Sequence, residues 1–271
     1  MESIGFVGAG NMAEALIKGI IAANLYTRQQ VFISDIKPER LLLVANKYGL
    51  VAVRSNAEVV GRVQTVVLSV KPQNMPEALR SIKDSLAPTK LVVSIAAGIK
   101  VAAIAAVLGD VPIVRVMPNT PALIGAGASA LFANETAKPM LPKAMSIFSS
   151  VGKAILVDDE NLIDVVTAVS GSGPAYYFFL MEEMIKAGIA LGLPPDVAKD
   201  LVLQTAKGAG LLAVESDKNN EGPAVLRQKV TSPGGTTEAA LRVFTEGEFG
   251  PLIEAAVKRA CERSRELSAQ Y

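Results

Sequence analysis

The most constraining stretch of this chain is GFVGAGNMAEAL, residues 5–16. A β-branched run, SIGFVG (3–8), passes straight into Gly8-Ala9-Gly10-Asn11-Met12-Ala13, and an apolar-periodic segment follows at once. In a G-x-G-x-x-A turn between strand and helix, the first glycine permits the tight turn and the second lets backbone approach a pyrophosphate. The small third residue lets the helix pack closely on the strand. Free N–H groups at the helix start favour an anion there. Asp35 ends the next strand-like run, VFISD (31–35), at about the ~20-residue spacing at which a carboxylate meets a ribose 2′-hydroxyl. The setting predicts a dinucleotide-binding βαβ unit at the amino end.

The alternation continues. TVVLSV (65–70), LVVSIA (91–96) and VPIVRVM (111–117) read as strands, with GASALFA (127–133) and KAILV (153–157) closing the set. NMAEALIKGIIAAN, PERLLLVANKYG and NMPEALRSIKDSL carry apolar residues at helical spacing. Nearly continuous apolar strands suit a parallel sheet covered on both faces. The fold expected over residues 1–160 is a doubly wound α/β domain of Rossmann type. Ligands on such sheets sit outside the carboxyl ends of the strands. SVKPQN (69–74) and SIAAGI (94–99) leave two of those ends. Lys71 is either a solvated loop lysine or a lining residue, with Pro72 holding it extended. Ala96-Ala97-Gly98 offers a flat wall for a ring, though small residues also suit plain packing.

Composition removes much chemistry. The chain has no histidine and a single cysteine, Cys261. That excludes a Ser-His-Asp triad, His-ligated metal, a zinc site and an internal disulfide, so no metal is expected. Lys+Arg 27 against Asp+Glu 26 leaves +1, which predicts neither a nucleic-acid nor a membrane surface. The longest apolar run, PAYYFFLM (174–181), is too short to span a bilayer. A lone thiol and a strand beginning near Ser3 fit a cytoplasmic protein.

After residue 160 strand signals vanish. Helices are expected over 173–192, 194–216 and 249–270, with a polar loop SDKNNEG (216–222) between. Apolar residues fall on too many sides of them for one small domain to cover, which predicts burial against a second copy over 161–271. Two helix entrances here are rich in Gly and Ser/Thr. They are VSGSGPAYY (169–177), where Pro174 suits a first helical turn, and VTSPGGTTEAALRVF (230–244). Either is readable as a turn with a Ser or Thr cap, or as an anion site of backbone N–H groups and hydroxyls.

Together GFVGAGNMAEAL, SVKPQN, SIAAGI, RVMPNTP, AVSGSGPAYY and above all VTSPGGTTEAAL resemble the pyrroline-5-carboxylate reductases, in family order along essentially the whole chain. The resemblance implies a Rossmann domain followed by an all-α dimerisation domain that also binds substrate. It implies reduction of 1-pyrroline-5-carboxylate to L-proline with NADPH or NADH, in homo-oligomers built from dimers. Cofactor contacts then fall on Val7, Gly8, Ala9, Gly10, Asn11 and Met12; on Ser34, Asp35 and Asn56; on Ser69, Val70, Lys71 and Pro72; and on Ala96, Ala97 and Gly98. Substrate contacts fall on Ser232, Gly235, Thr236 and Thr237, with Thr237 in the catalytic position. The resemblance favours NADPH, whereas Asp35 suits NADH and would repel a 2′-phosphate; Ser34, Lys37 and Arg40 are the residues able to grip that phosphate. Two departures stand out: RQK (227–229) lacks the acidic or amide residues often found before this loop, and SDKNNEG is longer than usual. No role is therefore carried over to Glu221 or Lys229.

This activity also accounts for the missing imidazole. Reducing a carbonyl generates an alkoxide and needs a proton donor. A protonated cyclic imine already carries its proton, so the site has chiefly to orient two rings and fix a carboxylate. A β-hydroxyacid dehydrogenase, the rival enzyme, would need an inner-helix Lys followed a turn later by Asn; Lys186 is followed by Ala190. A nucleotide sensor without turnover is the non-enzymatic rival.

Overall fold

The computed structural model describes residues 2–270. Its first part alternates β1 (Ile4–Val7), α1 (Asn11–Ala22), β2 (Val31–Ser34), α2 (Pro38–Tyr48), β3 (Val51–Ala52), α3 (Asn56–Arg62), β4 (Thr65–Leu68), α4 (Met75–Ile82), β5 (Leu91–Ser94), α5 (Val101–Leu108) and β6 (Ile113–Met117). Then come β7 (Gly127–Ala133), α6 (Leu141–Ser149) and β8 (Gly152–Leu156). The strands form one sheet in the order β3-β2-β1-β4-β5-β6-β7-β8. All neighbours are parallel except β6 and β7, which run antiparallel. This is the doubly wound Rossmann architecture expected from the alternation, extended at one edge by β7 and β8.

Both faces of the sheet are covered, as the apolar strands require. Ile4 and Phe6 enter one core with Leu16, Ile17 and Ile20 of α1, while Val7 turns to the other with Met75, Leu79 and Ile104. Of the elements not apparent in the sequence, three are hidden for identifiable reasons. β3 is two residues long and α3 seven, and α5 (VAAIAAVL) is apolar almost all round, so it shows no polar face.

Beyond β8 the chain is helical: α7 (Leu162–Val166), α8 (Gly173–Ala190), α9 (Pro195–Asp217), α10 (Pro223–Lys229), α11 (Thr236–Glu246) and α12 (Phe249–Ser268). The sequence placed a fresh helix entrance at Ser170–Gly173. Residues 167–171 instead form a π-helical turn that carries α7 into α8, with the Ser172 N–H donating to the Thr167 carbonyl (2.8 Å). Pro174 is the cause. It has no N–H for the carbonyl four residues back, and Asn119 supplies the missing donor, its Nδ2 lying 3.0 Å from the Ser170 oxygen. The Asn119 Oδ1 in turn accepts from the Ala128 N–H (2.8 Å).

Packing groups the chain differently from composition, which changes at residue 160. One compact unit runs as far as Pro174 and takes in Arg259 onwards; the other is Ala175–Lys258. The last turns of α12 join the sheet-bearing unit because Ser264 and Ser268 donate to the buried Asp164 carboxylate of α7 (2.7 and 3.3 Å). Within 175–258 only Ala198 is fully buried, and Phe178, Phe179, Leu203, Leu211 and Leu212 are all exposed. A helical unit with its apolar residues outward lacks a core of its own. Among the described residues no helix is long and apolar enough to cross a membrane.

The Asn119 bridge gives a direct test. Asn119→Ala leaves the Ser170 carbonyl and the Ala128 N–H without partners, and should cost about 1–3 kcal/mol of stability by chemical denaturation. A midpoint equal to wild type would mean that the π-turn satisfies itself.

Candidate functional site

The strand order reverses between β1 and β4, and the loops leaving these strands border a cleft of about 520 Å³. Gly8 adopts φ +97°, and a Cβ there would stand 2.9 Å from the Ser69 carbonyl oxygen, so only glycine fits. Backbone hydrogen bonds from Gly8 to Ser34 and from Ser69 to Val7 (both 2.9 Å) fix the turn against its neighbours. The Ser69 hydroxyl adds a bond to the Gly8 carbonyl (2.7 Å). Gly10 is the N-cap of α1 with no side-chain cap, and a Cβ on it would meet nothing within 4 Å. An uncapped helix start facing open space is what a pyrophosphate needs.

Of the residues singled out in the sequence, Gly8, Gly10, Asp35, Asn56, Ser69, Val70 and Lys71 line this cleft. Val7 and Ala9 are wholly buried, so they can offer only backbone. Asn11 and Met12 open α1, and Pro72 starts a short 3-10 turn after Lys71. Ser34 is buried and donates to the Asn56 Oδ1 (2.7 Å), whose Nδ2 donates to Ser81 (2.9 Å). Ala96 to Gly98 leave the adjacent strand, β5, and are not part of this cleft's lining. Ala96 is buried and Gly98 backs onto Leu267 and Ser268 of α12. The cleft also includes Ile36, Gln73, Asn74, Glu77 and Ser81, which the sequence did not mark. Ile36 had a signal: a large apolar residue just past the strand end, here 77% exposed.

Asp35 is more committed than its position implied. Its Oδ2 accepts from the Ala9 N–H (2.7 Å) and its Oδ1 from the Lys37 N–H (2.8 Å), so the carboxylate braces the glycine turn. Arg40 braces it from the other side, with Nε donating to the Ala9 carbonyl (2.7 Å) and a second nitrogen to Glu14 (2.5 Å). Glu14 also accepts from Lys47 (2.8 Å) and Tyr48 (3.0 Å). The Lys47 hydrogen bond foremost, helped by Arg40 and Tyr48 and opposed by burial, holds the Glu14 carboxyl down at about 2.

The second candidate lies in the helical unit, at the start of α11. Its N-cap is Gly235, and no side chain caps the first turn. Neither Ser232 nor a threonine caps the helix, which removes the plainer reading of VTSPGGTTEAAL. The loop is shaped by other means. Gly235 N–H donates to the Ser232 carbonyl (3.0 Å), Gly234 takes φ +71°, and Glu238 reaches back to accept from the Gly234 N–H (2.6 Å). A Cβ on Gly235 would strike the Ser232 hydroxyl at 2.5 Å. Ser232 and Thr236 are exposed and Thr237 half-buried, leaving hydroxyls and first-turn N–H groups for an anion.

Lys186, the residue on which a hydroxyacid dehydrogenase would depend, is exposed and paired with Glu182 (2.6 Å) and Glu183 (2.8 Å). Those hydrogen bonds raise its pKa.

Glycine turn, switch-point cleft and strand order define a dinucleotide-binding domain of Rossmann type. Residues 3–98 match the family model described as NADP oxidoreductase, coenzyme F420-dependent, and residues 160–267 that of pyrroline-5-carboxylate reductase dimerisation. The chain is 47% identical to a pyrroline-5-carboxylate reductase of Pseudomonas aeruginosa, over 98% of this chain and 97% of the other. Among solved structures it is similar to a pyrroline-5-carboxylate reductase of Coxiella burnetii, with TM-score 0.92, 39% identity and 98% of each chain covered. It is also similar to the pyrroline carboxylate reductase of Plasmodium falciparum with NADP bound, with TM-score 0.84, 32% identity and 98% of each chain covered. This chain belongs to the pyrroline-5-carboxylate reductase family.

The Glu14 network makes a prediction about acid stability. A carboxyl whose pKa is lower folded than unfolded stabilises above the unfolded value, and that contribution is lost as pH falls through the folded one. For Glu14 the window runs from 4.5 down to about 2. The stability advantage of wild type over Glu14→Gln should shrink across this window, as read by urea denaturation at a series of pH values. An advantage independent of pH would place the carboxyl outside the network.

Proposed function

We propose that this chain reduces 1-pyrroline-5-carboxylate to L-proline with NADPH or NADH, the last step of proline biosynthesis. The observation that carries this reading is the entrance to α11, an anion-ready helix start with hydroxyls and no side-chain cap, in a chain of this family. The two-domain assignment follows: dinucleotide binding by 1–160, dimerisation and substrate binding by 161–271. The outward apolar residues of α8 and α9 are buried between copies in a homodimer or higher homo-oligomer. A balanced net charge gives no field for nucleic acid, and a cytoplasmic location fits the lone thiol.

The glycine cradle fits a dinucleotide. Val7 to Met12 cradle the pyrophosphate, the N–H groups at the start of α1 donating to it and Gly10 leaving room, while the Gly8 and Ala9 N–H groups hold the turn on Ser34 and Asp35. Ser34, Asp35 and Asn56 serve the ribose, and Ser69 to Pro72 with Ala96 to Gly98 the nicotinamide end. When bound, the cofactor supplies a hydride. Ser232, Gly235, Thr236 and Thr237 hold the substrate carboxylate and ring, the Thr237 hydroxyl being assigned to the ring nitrogen. Since the imine arrives protonated, hydride addition gives a neutral amine and no side chain has to donate a proton. The protein's task is orientation, which is worth several kcal/mol when two reactants are held together.

Thr237→Ala should lower kcat/KM about 10- to 100-fold with cofactor affinity nearly unchanged, the loss of one charge-assisted hydrogen bond. A variant that melts earlier but turns over normally would leave Thr237 a purely structural residue. Cofactor choice is tested at Asp35. Its carboxylate faces the cleft and repels a 2′-phosphate, so wild type should use NADH appreciably and Asp35→Ser should shift preference toward NADPH. A wild type already strongly selective for NADPH, with no change on substitution, would reduce Asp35 to a brace for Ala9 and Lys37.

A further inference from the structure

The least expected group in the sheet-bearing unit is Arg115, in the middle of β6 and only 1% exposed. Its Nη1 donates to the Glu160 Oε1 (2.9 Å), and its Nη2 lies 4.0 Å from Asp164, itself 2% exposed. The Nε and Nη2 groups have no hydrogen-bond partner among the described residues. Burying a charge is costly, and a pair leaving two guanidinium donors unmatched is a poor way to gain stability. Replacement by apolar side chains would serve a core better.

What the cluster holds is specific. The same Glu160 oxygen accepts from the Val101 N–H (2.8 Å), the first residue of α5. Asp164 accepts from Ser264 and Ser268 on the last turns of α12 (2.7 and 3.3 Å). Between those two anchors runs the loop from β5 to α5. Gly98, at φ +75°, lies against Leu267 and Ser268, where a Cβ would be 3.5–3.6 Å from them. Arg115 itself pairs in register with Ser94, the residue where the loop departs.

We infer that the buried Arg115–Glu160–Asp164 cluster positions the Ala96–Gly98 loop, making these three positioning residues for hydride transfer. Glu160 fixes the loop's exit, and Asp164 fixes the α12 turn that backs it. The inference rests on the assignment of that loop to the nicotinamide end. Misplacing a reacting ring by an ångström costs up to about 100-fold in rate, so a rigid mount has a kinetic purpose that its energetics alone do not supply.

The test compares Glu160→Gln, Val101→Pro, Ala97→Leu and a control, Asn134→Ala. Val101→Pro deletes the N–H from which Glu160 accepts and exchanges one buried apolar side chain for another, while proline suits a first helical position and Lys100 already has the extended conformation it requires (φ −76°, ψ 155°). Asn134 makes part-buried bonds to Val111 and Ile113 at the start of β6, away from the Glu160 and Asp164 carboxylates, so its loss should affect stability alone. Glu160→Gln and Val101→Pro should lower kcat about 10- to 100-fold and weaken NADPH binding, with KM for pyrroline-5-carboxylate within about twofold of wild type. Asn134→Ala should lower the melting temperature with kcat unchanged. If Glu160→Gln fails to fold, Val101→Pro decides. Loss of melting temperature alone in these variants, as in the control, overturns the positioning role. Ala97→Leu separates the two assignments. Unchanged NADPH affinity there removes the loop from the cofactor and the inference with it. Weakened affinity beside a normal Val101→Pro leaves the loop assignment standing and overturns only the positioning role.

Discussion

The cofactor half of this protein depends on how closely the turn after β1 approaches the end of β4. A Cβ on Gly8 would stand 2.9 Å from the Ser69 carbonyl oxygen. Because that contact is so close, the Ser69 hydroxyl reaches the Gly8 carbonyl and the turn is tied to both neighbouring strands. The start of α1 is thereby aimed at the point where the strand order reverses, the one place in the sheet where two adjacent loops diverge and leave a crevice. The side chains around the turn secure it. Asp35 holds the Ala9 N–H while Arg40 holds the Ala9 carbonyl. Opposite charges thus grip opposite ends of consecutive peptide groups, leaving the Gly10 side open.

Neither candidate site includes a histidine, since the chain has none. Both are helix starts without a side-chain cap, at Gly10 and at Gly235. Backbone dipoles are permanently oriented and need no proton to be charged, so they can hold a phosphate or a carboxylate across a wide pH range. The ionisable groups that do matter, Asp35, Arg40 and Glu14, act on backbone or on one another.

Much of this was legible in the sequence because it is carried by local signals. G-x-G-x-x-A, Asp35 at a strand end, apolar alternation and SPGGTT each occupy a few consecutive residues, and each lies where expected. What escaped depends on partners distant in the chain. Nothing near Ser170–Gly173 announces that Asn119 will satisfy the carbonyl freed by Pro174, so the local sequence reads as a fresh helix entrance where the structure has a π-turn leading into α8. Nothing in VPIVRVM marks Arg115, because its carboxylates lie 45 and 49 positions onward, beyond the sheet. The bracing role of Asp35 was hidden for the same reason: spacing identifies a carboxylate near a ribose, but not the backbone N–H groups that claim it first.

The two compact units differ in what holds them together. In the sheet-bearing unit the core is complete within one chain, with Phe6, Leu16 and Ile17 on one face and Leu68, Met75 and Ile82 on the other fully buried. In residues 175–258 burial within the chain stops at Ala198. Helices whose apolar residues find no partner in their own chain gain most of their stability only on association. The loop from Ser232 to Thr237 is framed by two helices of that second unit, α10 and α11. The glycine cradle, by contrast, rests on strands already buried. Order in the cradle is therefore set within one chain, whereas the loop between α10 and α11 is held by helices that bury little within it.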